Sequence, residues 1–397
     1  MSTITGTVHP RFSAVQEAFA RNFDLHGEVG ASLCVTLDGE VVVDLAGGTV
    51  TAEPDAAPFG PDTLVVVFSC TKGLCALAFH RLVDRGLIDL DAPVATYWPE
   101  FAIAGKESAT VRMLLNHTVG VPAWRDPVPR EELYDFDAMA ARCAAESAFW
   151  EPGTRQGYHM ISFGWLVGEV MRRVTGDSLG EILRREIAEP AGADIFLGLP
   201  EAEEVRVSPV IHFVPDAANP SAMTRVIRDD RNSIPALALL NPGFNPNRRE
   251  AHAAEIGGAG ALGTGRGLAH AYRPFATGTA VSADTLARMG RVSAATMRDA
   301  TLGIGTTFGL GFMTTIDNRR RPDGEDRDSV ILSPTAFGHV GAGGSIGFAD
   351  PAERLSVGYT MNRHGNGILL NERGQSLVDA IYRSLGYRSD GSGAWVR

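Results

Sequence analysis

Three observations on a chain of 397 residues predict an α+β fold, an α/β sandwich whose antiparallel sheet is flanked by helices and interrupted by an inserted helical domain. A helix-spaced segment and a hairpin signal open the chain. Three β-like runs and a helix close it. Helical segments separated by long Gly/Pro-rich loops lie between. Joining both ends in one sheet is the economical arrangement. It gives a sandwich domain from residues 1–68 and 300–397, a mainly helical domain over 69–299, and a cleft between them.

The elements follow in order. Residues 11–24 carry Phe12, Val15, Phe19 and Phe23 at helical spacing. Two β-like runs, 31–37 and 40–45, flank Asp38-Gly39, a hairpin turn sequence. The apolar run 64–68 stops at Ser69. From there Leu74, Leu77, Ala78, Leu82 and Val83 mark a helix ended by Gly86. Residues 163–174 form a second clear helix before Gly176. β signals return at 308–315, 337–348 and 355–362, and a helix over about 368–385 closes the chain.

Composition narrows the function. The chain has 36 basic and 47 acidic side chains, a formal net charge of −11. That balance argues against a nucleic-acid partner, because binding phosphates usually leaves a basic footprint. The first ten residues lack the pattern of a secretory signal. No run approaches about 18 uninterrupted apolar residues, so no membrane partner is expected. Cys34, Cys70, Cys75 and Cys143 form neither a C-x-x-C pair nor a zinc-ligand spacing. A cytoplasmic protein with reduced thiols, no metal and no cofactor is the expectation. Whether it forms a homo-oligomer is left open.

Only Lys72 and Lys106 are lysines; the other basic residues are arginine. Lys106 lies in a loop sequence, Gly105-Lys106-Glu107. Lys72 follows Ser69 by three residues, in Ser69-Cys70-Thr71-Lys72, so a helix starting at Ser69 puts both on one face. The serine hydroxyl then sits at a helix N-terminus, which favours developing negative charge. Desolvation in an apolar cleft lowers a lysine's pKa and makes it a general base, a role closed to arginine. Tyr158, on the turn after Pro152-Gly153, is a candidate proton relay, since a phenol beside a cationic lysine loses its proton more easily.

Glycine density in Gly338-His339-Val340-Gly341-Ala342-Gly343-Gly344-Ser345 permits close backbone approach. An edge strand here could set an N–H beside that of Ser69, forming an oxyanion hole. The same stretch contains Gly343-Gly344-Ser345-Ile346-Gly347, a G-x-S-x-G pattern. That reading fails on context: strand and turn follow Ser345 where a helix is needed, and although His364 follows, too little chain remains after Ser345 for an acid loop and a helical scaffold. His117 reads as a loop-fixing hydrogen-bonder. His159 and Trp124 are candidates to line the substrate site, Trp124 equally a core residue.

Ser69-x-x-Lys72, then Leu114-Leu115-Asn116-His117-Thr118-Val119-Gly120, then Pro152-Gly153-Thr154 leading to Tyr158, then His339-Val340-Gly341, resemble the ordered motifs of the serine β-lactamase and penicillin-binding-protein superfamily. Within it the chain is most similar to family VIII carboxylesterases. The resemblance implies a β-lactamase/DD-peptidase-like fold, with Ser69 as acylated nucleophile, Lys72 as base and Tyr158 as relay. It implies an oxyanion hole of the Ser69 and Ala342 N–H groups, with His339 and Gly341 bordering the substrate. Tyr158-His159-Met160 lacks the asparagine of a Tyr-x-Asn motif, and His339 stands where a lysine is common. Both departures count against β-lactam or peptidoglycan substrates and fit a small-molecule ester with an apolar portion. An acyltransferase, peptidase or weak β-lactamase on this site, or a silent binding protein, are the alternatives.

Overall fold

The structure is a computed structural model that describes residues 3–214, 220–322, 324–389 and 395–396. Six strands form the main sheet: β1 (Ile4–Val8), β2 (Gly30–Leu37), β3 (Glu40–Gly48), β4 (Phe337–Val340), β5 (Ile346–Asp350) and β6 (Leu355–Met361). Their order is β1-β3-β2-β6-β5-β4, every neighbour antiparallel. Asp38 and Gly39, at φ 52° and 87°, make the tight turn between β2 and β3. The chain ends meet at the sheet's centre, where β6 pairs with β2 and Tyr359 lies opposite Leu33.

The two faces have different chemistry because side chains alternate along a strand. Leu33, Val35, Phe348, Val357 and Tyr359 share one apolar core with residues of the helices Ser13–Leu25 and Glu372–Ser384. The opposite face carries small groups and receives the helix Gly265–Ala276. Ser356 Oγ donates to Ala269 O at 2.7 Å, and Gly265 N–H donates to Ser32 Oγ at 2.9 Å. A Cβ at Gly358 would come within 2.1 Å of Gly265 O, so only glycine admits the helix this closely. This helix falls inside the span 69–299 expected to form the helical domain, yet it is the sheet's second layer.

The structure corrects several expected elements. The run 337–348 is two strands: the chain reverses at Gly341–Ser345, and β4 is the edge of the sheet. The run 308–315 contains only the end of a short strand, Thr306–Phe308, before the backbone turns at Gly309, whose N–H donates to Phe312 O at 2.8 Å. Strand β1 gave no signal, since Thr5, Gly6 and Thr7 are exposed and nothing apolar alternates there. Helix Cys70–Asp84 lies at the centre of the molecule, packed against β4 and against the helix Phe163–Thr175. Among the described residues no helix is long and apolar enough to cross a membrane.

Candidate active site

A short strand, Val65–Val66, leads into the Cys70–Asp84 helix through a sharp turn. Phe68 takes a φ of 47°, uncommon for a bulky residue. Two hydrogen bonds hold the turn: Val67 N–H to Ala261 O at 2.9 Å, and Ala261 N–H to Thr71 Oγ1 at 3.0 Å. Ser69 is the helix N-cap. Its own amide has no hydrogen-bond partner among the described residues, and neither has that of Ala342. Both residues line a cleft of about 840 Å³, together with Tyr158, Met160, Met313 and Val340. Met223, Ile227 and Leu239 form part of its wall. A neighbouring cavity of about 1000 Å³ shares His364 and Gly365 with the cleft but does not reach Ser69.

Lys72 lies directly behind the serine, wholly buried. Its Nζ is 3.0 Å from Ser69 Oγ, 2.7 Å from Met160 O and 2.6 Å from Gly258 O. Desolvation lowers its pKa from 10.5 to about 7. The two carbonyls can only accept. A neutral amine therefore spends its two N–H bonds on them and must turn its lone pair to the third neighbour, the Ser69 hydroxyl. The backbone alone thus turns the lone pair of a neutral Lys72 towards Ser69.

Tyr158 packs its ring parallel to Phe308, with centroids 5.8 Å apart, and Lys72 Nζ stands 4.8 Å from its ring centroid. Its hydroxyl is buried without a hydrogen bond of ordinary geometry, although Ser69 is near enough to act on its titration. The expectation of an easily ionised phenol is overturned: burial pushes its pKa well above the ordinary value of 10, outweighing Ser69. Tyr158 is a neutral hydroxyl. Asp299, unmarked by any motif, fixes its backbone. The carboxylate accepts Tyr158 N–H at 2.9 and 3.1 Å, and also the amides of Thr301 and Leu302 and the hydroxyl of Thr306.

Four expected substrate-site residues stand elsewhere. Val340 faces the cleft, so strand alternation turns His339 the other way, towards Gly73 on the central helix. His339 is 1% exposed, its Nδ1 bonded to Val340 O at 2.7 Å, and desolvation takes its pKa to about 3. His159 accepts from Val121 N–H at 3.1 Å, is stacked with His117 and is held neutral with a pKa of about 3. Trp124 is core, edge-on to Trp165 at 5.8 Å. Gly341 is needed for close approach: an added Cβ would lie 2.2 Å from Ser345 Oγ and 2.3 Å from Val67 O. Ser345 is buried, its Oγ bonded to Val67 O at 3.3 Å, which rules it out as an exposed nucleophile. His117 fixes a loop: its Nδ1 accepts from His159 N–H and its carbonyl from Gly157 N–H. Lys106 is also buried, not solvated, with Nζ 2.5 Å from Glu146 O.

Among the described residues no group of three or more His, Cys, Asp or Glu side chains could hold a metal ion. Residues 15–377 match the family described as Beta-lactamase. The chain is 35% identical over 377 residues to the esterase/beta-lactamase LipL of Mycobacterium tuberculosis, covering 91% of this chain and 83% of that protein. Among solved structures, a family VIII carboxylesterase superposes with a TM-score of 0.84 at 38% identity, covering 96% of this chain and all of that one. A penicillin-binding-protein homologue from Caulobacter crescentus also superposes with a TM-score of 0.84, at 35% identity, covering 96% of this chain and 100% of its own.

Proposed function

The chain belongs to the beta-lactamase family, and on that premise we propose that it is a serine hydrolase that cleaves carboxylic esters through an acyl-enzyme on Ser69. The observation that carries the reading is the buried Lys72, its pKa near 7 and its lone pair directed at Ser69 Oγ by two backbone carbonyls. Ser69 attacks the ester carbonyl as its proton passes to Lys72 Nζ. The Ser69 and Ala342 amides receive the oxyanion. Tyr158, a neutral phenol, donates its proton to the departing alkoxide and recovers one from the Lys72 ammonium, so that the net transfer is one proton from Ser69 to the alcohol. Water then attacks the acyl-enzyme by the same route in reverse and releases the acid.

Neutral esters with an apolar portion fit best. The lysine position of the third motif holds a buried, neutral His339, so no cation waits there for a substrate carboxylate. The cleft wall includes Met160, Met223, Met313 and Leu239. Opening of a β-lactam ring on the same serine is the second reading, favoured by the esterase/beta-lactamase named among the relatives. Rates on p-nitrophenyl esters of graded length, run beside a chromogenic cephalosporin, test the order of the two. A labelled fluorophosphonate should modify Ser69 and leave Ser69→Ala unlabelled. Full esterase activity in Ser69→Ala would overturn the proposal.

A further inference from the structure

We propose that Asn371 is a positioning residue for the oxyanion hole, acting through a hydrogen-bond relay that crosses two peptide planes to the Ala342 N–H. The inference rests on the oxyanion role just given to Ala342.

In a planar trans peptide the C=O and N–H point in opposite directions. The Ala342 N–H shares its plane with Gly341 C=O, and that carbonyl accepts from Gly344 N–H at 3.0 Å. Tying the carbonyl into the turn sends the Ala342 N–H outward, where it meets no partner among the described residues. The Gly344 N–H in turn shares its plane with Gly343 C=O. Three donors converge on that oxygen: Asn371 Nδ2 at 2.6 Å, Gly365 N–H at 3.0 Å and Arg373 Nη2 at 3.4 Å. The chain of dipoles is continuous, from Asn371 through Gly343–Gly344 and Gly341–Ala342 to the oxyanion. Each bond polarises the next.

The relay is built into the fold. Gly343 and Gly344 take φ of 86° and 114°, conformations that only glycine adopts readily. An added Cβ at Gly344 would lie 2.4 Å from Asn371 Nδ2, so the amide is packed directly on the turn. Arg373 is held by the buried Glu28, with Nη1 to Oε1 at 2.6 Å, and also donates to Arg363 O at 2.7 Å. The 2.6 Å bond from Asn371 is therefore supported by a guanidinium with little freedom to move.

Asn371 also caps the Glu372–Ser384 helix, its Oδ1 accepting from Arg373 and Gly374 N–H. That second role makes the test clean. Asp and Ser keep the capping oxygen, but neither places an N–H donor on Gly343 O. Asn371→Asp and Asn371→Ser should fold with melting temperatures near the parent's and lose about 5- to 20-fold in kcat at unchanged KM. That is less than the roughly 100-fold or more that follows removal of an oxyanion donor outright. Affinity for a boronic acid, whose tetrahedral adduct presents an oxyanion-like oxygen, should fall by the same factor, while inhibition by the product acid stays constant. Parental kcat and boronate affinity in either folded variant, or a loss confined to KM, would overturn the relay. Ser69→Ala is run beside them. An active Ser69→Ala would sink the hydrolase reading itself, whereas an inactive Ser69→Ala with parental Asn371→Asp would sink only the relay.

Discussion

Replacing Lys72 by arginine keeps a positive charge three residues after the serine but removes the ability to give up a proton. With a pKa of about 7, Lys72 is about half neutral at pH 7, whereas at an ordinary lysine value of about 10.4 fewer than about one molecule in a thousand would be. Burial therefore supplies roughly three powers of ten in concentration of the base. Lys72→Arg should lose about a thousandfold or more in kcat/KM at neutral pH, with the ester still bound. In the parent the neutral form is active, so log kcat/KM should rise with unit slope as pH approaches about 7 and level off above it. No histidine on or near the cleft can imitate this limb: desolvation places His159 and His339 near 3 and His364 near 4, and takes His117 well below its ordinary value. Initial rates of p-nitrophenyl ester hydrolysis, extrapolated to zero buffer and measured at constant ionic strength, read the profile. A limb well above 9, or more than about a tenth of parental activity in Lys72→Arg, would refute the assignment of Lys72 as base.

Tyr158→Phe removes a neutral proton donor without emptying its stacking place on Phe308; kcat should fall about a hundredfold with KM little changed, and steady-state kinetics decide it. His339→Lys buries a second ammonium near Lys72, so melting temperature should fall and the acid limb should move below 7, with no gain on a carboxylate-bearing cephalosporin; faster cephalosporin turnover would contradict the buried placement. Gly341→Ala should lose about 1–3 kcal/mol or more in denaturant unfolding, because its Cβ overlaps the Val67 carbonyl. Asp299→Asn keeps one acceptor where four donors converge; it should cost about 1–3 kcal/mol and lower kcat more than KM, since Tyr158 N–H loses its anchor.

The parts of the site legible in the sequence are those on one local element. Ser69 and Lys72 share a helical turn, so their spacing alone implies their proximity. The nearby turn glycines marked where backbone would come close, and the edge strand followed from them. Which side chain of a strand or extended pair faces the cleft is a different kind of question. It depends on a one-residue register, and here the register presents Val340 and Tyr158 while turning His339 and His159 inward. Motif order carried no information about that register. Contacts made by backbone atoms were equally silent. The carbonyls of Met160 and Gly258 that aim Lys72 could belong to any residue type, and Asp299 reaches Tyr158 across 141 positions of chain.

Lysine is scarce in this chain, and the structure gives that scarcity a physical reason. Both lysines are buried, each with its ammonium against backbone carbonyls: Lys72 on Met160 and Gly258, Lys106 on Glu146. Many arginines meet carboxylates instead; in Arg112 with Asp91 and Arg319 with Asp317 the planar fork matches two oxygens. A compact ammonium suits a buried set of separate carbonyls, and it is the cation of the two that desolvation can neutralise. Burial lowers the pKa of Lys106 as well, yet among the described residues no hydroxyl completes its set as Ser69 completes that of Lys72. A lowered pKa therefore does not distinguish the two. What separates the two lysines is the third neighbour, a group able to surrender a proton, placed there by the helix turn that begins at Ser69.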